Sequence, residues 1–578
     1  MFASTCLRAA AVCAALSCVI PVSLSAADQA SSPGAQHPAS CAGDNGAIAL
    51  PPGFCATVFA DNLGHARHMV VAPDGVVYVN TWSGVYFRDP PPPGGFLIAL
   101  QDTHGVGRAD VIRRFGDGVA QGSAGGTGIA IYKDALYAEQ NDRIVRYRLS
   151  QNSIAPSGVP DVIVSGLPLG GDHPMHPFVI DAQGNLFVDS GSATNSCQER
   201  NRMPQSPGIN PCKELQTRGG IWRFDANQTG QQFSAAQRYA TGIRNGEGMS
   251  FDAAGRLYVT QHGRDQLGEN WPGLYAPDVG HELPAEEVVL LEKNADYGWP
   301  TCYFDGLQKQ LVLAPEYGGD GGHKVGACAQ RRAPVAFFPA HWAPDDLLIY
   351  SGRQFPRPYR GGAFIAFHGS WNRAPAPQAG YNVAFQPLAD GKVSGDYIVF
   401  ADGFAGAEKA PGRADFRPAG LAMAPDGALF IADDDHGRIW RITYNGAAES
   451  ATALVSARAT AAAPGPHDAR PAQASLKLAP GITREQVIKG DHIFHGEASG
   501  GTCSGCHASD GKGSEVGADL TSRDWLWGDG SLAAIAATIR QGVPAAKKSF
   551  GVMPPLGGAP LSTDDVTAVA AYVWALGH

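Results

Sequence analysis

Basic residues are scarce in this chain: 44 Lys and Arg stand against 54 Asp and Glu over 578 residues, a formal net charge of -10. That balance, with no lysine-rich stripe, excludes a nucleic-acid footprint. Charge of either sign is also low, at 17%. Long apolar runs are missing, except AAAVCAALSCVIPVSL after Arg8, which ends in the small residues SLSAA. This pattern predicts a signal peptide over 1–27, export to the periplasm or beyond, and no membrane span once it is removed. Methionine is rare, and Met553 is the only one after residue 503. A single CxxC exists, so a zinc site built from two such pairs is excluded.

What is abundant is glycine (73) and proline (42), which suits a turn-rich all-β body. The length exceeds one ordinary core. From residue 50 a hairpin pattern recurs: VVAPDGVVYVNT from Val70, VIDAQGNLFVDS from Val179, SFDAAGRLYVTQ from Ser250 and MAPDGALFIADD from Met423. GIAIYKDALYAEQ from Gly128 is a weaker copy, and GGAFIAFHGS from Gly361 has a changed first half. Each reads as a strand, a tight Asp/Gly turn and an alternating second strand. Such repetition predicts a six-bladed β-propeller over 49–445, with its excess length in loops, the largest near 265–340. Residues 28–48 read as a loose segment and 446–478 as an Ala/Pro-rich linker. Residues 479–578 read as a small all-α domain.

Eleven cysteines are present, three of them (Cys6, Cys13, Cys18) in the predicted signal. Six others form sequence-near pairs. An even number in an oxidising compartment predicts disulfides 41–55, 197–212 and 302–328. Cys503 and Cys506 belong instead to CSGCH. Two thiols one helical turn apart can add to the two vinyl groups of haem, and the adjacent His507 meets the iron. SFGVMPPLGG offers Met553 as the sixth ligand. STDDVTAVAAYVWALGH begins with a capping-box-like S-x-x-D and continues at helical spacing. The segment resembles a class I cytochrome c carrying haem c.

The body resembles the soluble glucose/sorbosone dehydrogenases, six-bladed propellers that use pyrroloquinoline quinone (PQQ) and calcium. Four segments carry the resemblance: LPLGGDHPMHPFVID, GIRNGEGMSFDAAGRLYVTQHGRDQ, EEVVLLEKNADYGWPTC, and AFHGSWNR with DFRPAGLAMAPDG. It implies that His173 is the catalytic base, with His176 its rival, and that Arg244, Asn245, His262 and Arg417 contact PQQ. His368 or Arg373 would replace the family's lysine, and the family's second arginine falls on Ala419. Two backbone carbonyls, of Gly263 and Arg264, would ligate calcium. The family's Asp that orients the base falls on Gly191, with Asp189 two residues away. Tyr297–Pro300 reads as scaffold. The implied activity is oxidation of a sugar by hydride transfer to PQQ, with electrons leaving through the haem to an external acceptor. Two other readings stay open: a sugar- or protein-binding propeller with an appended haem, and a calcium-dependent lactonase-like hydrolase.

Overall fold

All six sequence repeats contribute to antiparallel hairpins in separate sheets, and the sheets follow one another as propeller blades. The computed structural model describes residues 43–578 except 83–91, 118–125, 151–152, 375, 411, 447–452, 458–469, 515, 545 and 549–550. The predicted signal peptide, Cys41 and much of the predicted linker lie outside the described residues. Blade 1 comprises Ala66–Val71, Val77–Thr81, Leu97–Gln101 and Val111–Phe115. Blade 2 runs from Ile129–Tyr132 to Asp161–Ser165, blade 3 from Phe178–Ile180 to Arg238–Thr241, and blade 4 from Met249–Phe251 to Ala336–Phe338. Blade 5 runs from Pro344–Ile349 to Ile398–Ala401. Blade 6 joins Pro418–Met423, Leu429–Asp433 and Ile439–Tyr444 to the N-terminal strand Phe54–Ala60, which pairs Phe54 with Tyr444 and Val58 with Trp440. The two ends of the propeller thus close one sheet and leave no open edge in the ring.

The hairpin turns form for the reason the repeats suggest. Gly75, Gly184, Gly255 and Gly427 take φ of 77–89°, a left-handed conformation that costs glycine little. The aspartate of each turn accepts from the backbone N–H beyond it: Asp74 from Val76, Asp181 from Asn185, Asp252 from Arg256 and Asp426 from Ala428. Blade 5 has no tight turn, and residues 350–362 bridge its first two strands, which accounts for its changed repeat. Apolar side chains fill the space between blades, as where Phe54, Phe364, Phe400 and Trp440 share one cluster.

The excess length sits mainly in blades 3 and 4. Loop 191–219 is clamped by Cys197–Cys212, and the excursion 291–335 by Cys302–Cys328, two of the three predicted bridges. Cys55 is also disulfide-bonded. Arg264, at the base of the blade 4 loop, makes a buried ion pair with Glu316, which also accepts from Trp271 Nε1 at 3.0 Å. Removing one partner of a buried pair strands the other charge. Glu316→Ala is therefore expected to lower the unfolding free energy by about 3–5 kcal/mol, read by urea titration.

The C-terminal domain is a small helical unit around Arg484–Phe494, Cys503–His507, Leu532–Gln541 and Thr563–Gly577. The first of these has eleven residues, about three turns. A capping box between Thr483 and Gln486 starts it, satisfying N–H groups that would otherwise lack partners. The predicted Ser562/Asp565 box is present as well. These two helices cross where Gly490 meets Ala568: a Cβ at 490 would lie 2.0 Å from the Ala568 carbonyl oxygen. Among the described residues no helix is long and apolar enough to cross a membrane.

Candidate active site

On one face of the propeller, residues of five blades and of the loops between blades line a cavity of about 290 Å³ rich in charged side chains. His173, on the loop entering blade 3, is buried there. Its Nδ1–H donates to the Ser192 carbonyl at 2.9 Å, and the Ser192 hydroxyl lies 3.0 Å away, itself donating to Thr194 O. That arrangement leaves Nε2 as the lone-pair nitrogen. Burial, then the charges of Arg244 and His262, push the imidazole pKa well below its ordinary value. Gly191 is what makes room: a Cβ there would lie 2.6 Å from His173 Cβ and 2.7 Å from Asn245 Oδ1. Arg218 braces the turn from behind, donating to His173 O (2.9 Å) and Gly191 O (3.2 Å). Asp189 makes no hydrogen bond to His173. Its carboxyl is buried and raised well above the carboxylate range by desolvation. His176 is fully buried against Glu139, 3.4 Å away, and does not line the cavity.

Three arginines line the same cavity. Arg67 reaches Asp345 (3.0 Å), Asp434 (2.5 Å) and Glu247 (3.5 Å). Arg202 bridges Asp172 (2.8 Å) and Asp265 (2.9 Å). Arg417 donates to the carbonyls of His368 (3.3 Å) and Gly369 (2.8 Å). Burial alone would raise Asp265, but Arg244 and Arg202 outweigh it and hold the carboxyl well below the usual range. Asp434 is likewise held low by His368 and Arg67 against its burial. His368 Nε2 lies 2.7 Å from Asp434, and His262 Nε2 donates to Pro344 O at 3.1 Å. Asn245 Oδ1 and Arg67 Nε are buried without a hydrogen-bond partner in the protein, and Glu247 Oε2 has no hydrogen bond beside its 3.5 Å ion pair with Arg67; all three residues line the cavity. Unsatisfied polar atoms around an enclosed space are what a polar ligand would complete.

Asn245, His262, His368 and Arg417 therefore line one cavity with His173. Arg244 and Arg373 do not. Arg244 is spent on protein oxygens: Asn195 O (3.1 Å), Asn195 Oδ1 (3.0 Å), Gly263 O (2.9 Å) and Asp265 (3.0 Å). It holds the loops of blades 3 and 4 together behind the cavity. Arg373 turns outward to His281 O, Ala340 O and Glu282. The calcium reading of Gly263 also changes, because its carbonyl already accepts a cationic guanidinium. The side chain of Arg264 points to Glu316. Arg67, Arg202, Asp265 and Ser192 were not evident from sequence, since their roles depend on contacts between different blades. Tyr297 and Trp299 are scaffold: the Tyr297 hydroxyl donates to Leu290 O and Trp299 Nε1 to Asn195 O.

A second cavity opens in the helical domain. Cys503, Cys506, His507 and Met553 all line it, with Phe494, Leu520, Trp525, Ile535, Ile539 and Val573. Both thiols are free. His507 Nδ1–H donates to Ala518 O at 2.8 Å, so Nε2 is the lone-pair nitrogen available to a metal. Burial lowers its pKa, which favours the neutral form that ligates. Met553 lies on a bridge to Val543 across the same cavity. The set fits a covalently held haem.

The profile of the TrAA12-like family matches residues 48–445, more than half of the chain. The profile of cytochrome c oxidase, cbb3-type, subunit III matches residues 489–573. A PQQ-dependent pyranose dehydrogenase of Coprinopsis cinerea is 27% identical over 229 residues, covering 35% of this chain and 30% of that protein. An uncharacterised protein of Borreliella burgdorferi is 28% identical over 208 residues, covering 36% of this chain and 48% of that protein. The chain thus spans less than half the length of these relatives. Two solved structures share the propeller fold. The holo PQQ domain of the Coprinopsis cinerea pyranose dehydrogenase superposes with TM-score 0.52 at 19% identity, over 68% of this chain and 97% of that one. The calcium structure of the Trichoderma reesei AA12 enzyme gives 0.54 at 18%, over 69% and 97%. The chain is a six-bladed propeller followed by a cytochrome c-type domain, and it belongs to the TrAA12-like family.

Proposed function

We propose that this protein is an exported, PQQ-dependent sugar dehydrogenase that delivers its electrons to its own haem c. One observation carries the reading: a base with a free imidazole nitrogen faces an arginine-lined cavity that abuts the cavity of the CSGCH motif. The Coprinopsis cinerea relative, named for PQQ and pyranose, supports the same chemistry. PQQ carries three carboxylates and two quinone carbonyls, and when bound it supplies the hydride acceptor. Arg67, Arg202 and Arg417 fit its anionic rim, and Asn245 and His262 offer hydrogen bonds to its polar edge. His173 Nε2 takes the hydroxyl proton of the substrate, while Ser192 O holds Nδ1–H and fixes the ring. The fold's buried arginine–carboxylate pairs keep these groups oriented before substrate arrives.

Calcium is proposed only as a companion of the cofactor, and no step is derived through it, since Gly263 O already accepts from Arg244. Export agrees with the disulfides at Cys197 and Cys302. The acceptor beyond the haem is proposed to be a one-electron carrier outside the cell membrane.

Purified protein reconstituted with PQQ and calcium is expected to reduce its own haem when given an aldose, a pyranose or a sorbosone-like ketoaldehyde. The readout is the growth of the reduced-haem absorption band across a sugar panel. No reduction by any member would sink the dehydrogenase reading in favour of a binding propeller. Sugar-lactone hydrolysis without any acceptor would favour a hydrolase.

A further inference from the structure

The two cavities are not separate. Gln266 and Trp371 of the propeller, with Cys506, Val516, Gly551 and Val552 of the helical domain, line both. Propeller and helical domain lie in one compact unit, Pro38–His578. The contact is close: a Cβ at Gly505, inside CSGCH, would lie 2.6 Å from Ala374 Cβ. At its edge Arg413 Nη2 meets Asp510 at 2.5 Å while its Nε holds Glu408 at 2.9 Å.

Of the six shared residues, Trp371 is the one with an extended π-system. It is half-buried, on the loop after blade 5's second strand. That loop is tied at several points. Gln378 Nε2 donates to Trp371 O at 3.1 Å, and Asn372 Nδ2 to Asp265 Oδ1 at 3.0 Å. Arg373 clamps its far side to His281 O, Ala340 O and Glu282. The arginine expected at the quinone thus holds the loop that forms the partition.

We infer that Trp371 is the bridge through which electrons pass from the quinone cavity to the haem, and that Arg373 and Asn372 are positioning residues for it. The inference rests on the function proposed above. Each step moves one electron: the reduced cofactor loses it and ferric iron becomes ferrous. An external one-electron acceptor re-oxidises the iron before the second electron follows, and two protons leave to water. Electron transfer weakens steeply with the width of a gap. An indole filling that gap couples the two sites better than water or an aliphatic side chain would.

Two experiments test this. In the reconstituted protein, sugar-driven haem reduction is timed against turnover of an artificial dye that accepts directly from the quinone. Trp371→Leu should lower the ratio of haem reduction to dye turnover at least about tenfold, and Trp371→Phe should hold it within about twofold. An unchanged ratio in Trp371→Leu overturns the bridge. Absence of dye turnover in the unmodified protein instead sinks the proposed function. The second test needs no quinone. A photo-reactive benzoylphenylalanine at position 371 of the haem-loaded chain should cross-link to 503–517 or 551–557. Cross-links confined to the propeller would overturn the seat itself.

Discussion

His173→Gln is expected to lower sugar-dependent haem reduction by about 10²–10⁴-fold, the usual worth of a general base. The oxidised haem spectrum should be unchanged, because His173 lies in the propeller cavity and does not line the haem cavity. Glutamine keeps the size and can still donate to Ser192 O, so the test isolates proton transfer. Retained turnover would move the base elsewhere. The pH profile gives a second check. A base works only when deprotonated, and burial beside Arg244 and His262 pushes the His173 pKa well below 6.5. The acid limb of kcat/KM should therefore fall below the pH at which an ordinary histidine protonates, and the rate should be flat through pH 6–7. An acid limb centred near 6.5 would mean that the imidazole is solvated. The same shift bears on stability: with the folded pKa depressed, protonation favours the unfolded chain, and stability from this site falls as pH drops through the unfolded value.

The orientation of that base is the clearest case of what a sequence can and cannot convey. The family resemblance places an orienting Asp at the position of Gly191. The structure uses a main-chain carbonyl, Ser192 O, and every residue has one, so composition carries no trace of it. Gly191 was legible as a departure but its meaning was steric: it clears His173 Cβ. The repeats were legible because each records one turn's local chemistry, Asp accepting and Gly bending. CSGCH was legible because haem attachment demands fixed spacing along the chain. Arg67 was invisible for the opposite reason. Its partners Glu247, Asp345 and Asp434 come from distant blades, and only ring closure brings them together. Arg244 and Arg373 show the converse: the residue type matches, but the structure turns both side chains to carbonyls and carboxylates outside the cavity lining, a placement that only the folded loops reveal.

Replacing Cys503 and Cys506 together by Ala should abolish sugar-driven reduction of an internal haem, and the denatured chain should lose haem staining on a gel. Both thiols line the cavity with His507 and Met553, and burial raises the Cys503 and Cys506 pKa to about 11 and about 12. One helical turn apart, they are placed to add across the two vinyl groups of haem. Without the thioether bonds His507 and Met553 alone would have to retain a dissociable haem. The tether then no longer fixes the acceptor beside the quinone, and electron delivery becomes a bimolecular step with the effective concentration lost. Dye-linked sugar oxidation should persist, because the base and the arginines belong to the propeller. Loss of dye turnover as well would show that the haem domain also shapes the quinone cavity it borders.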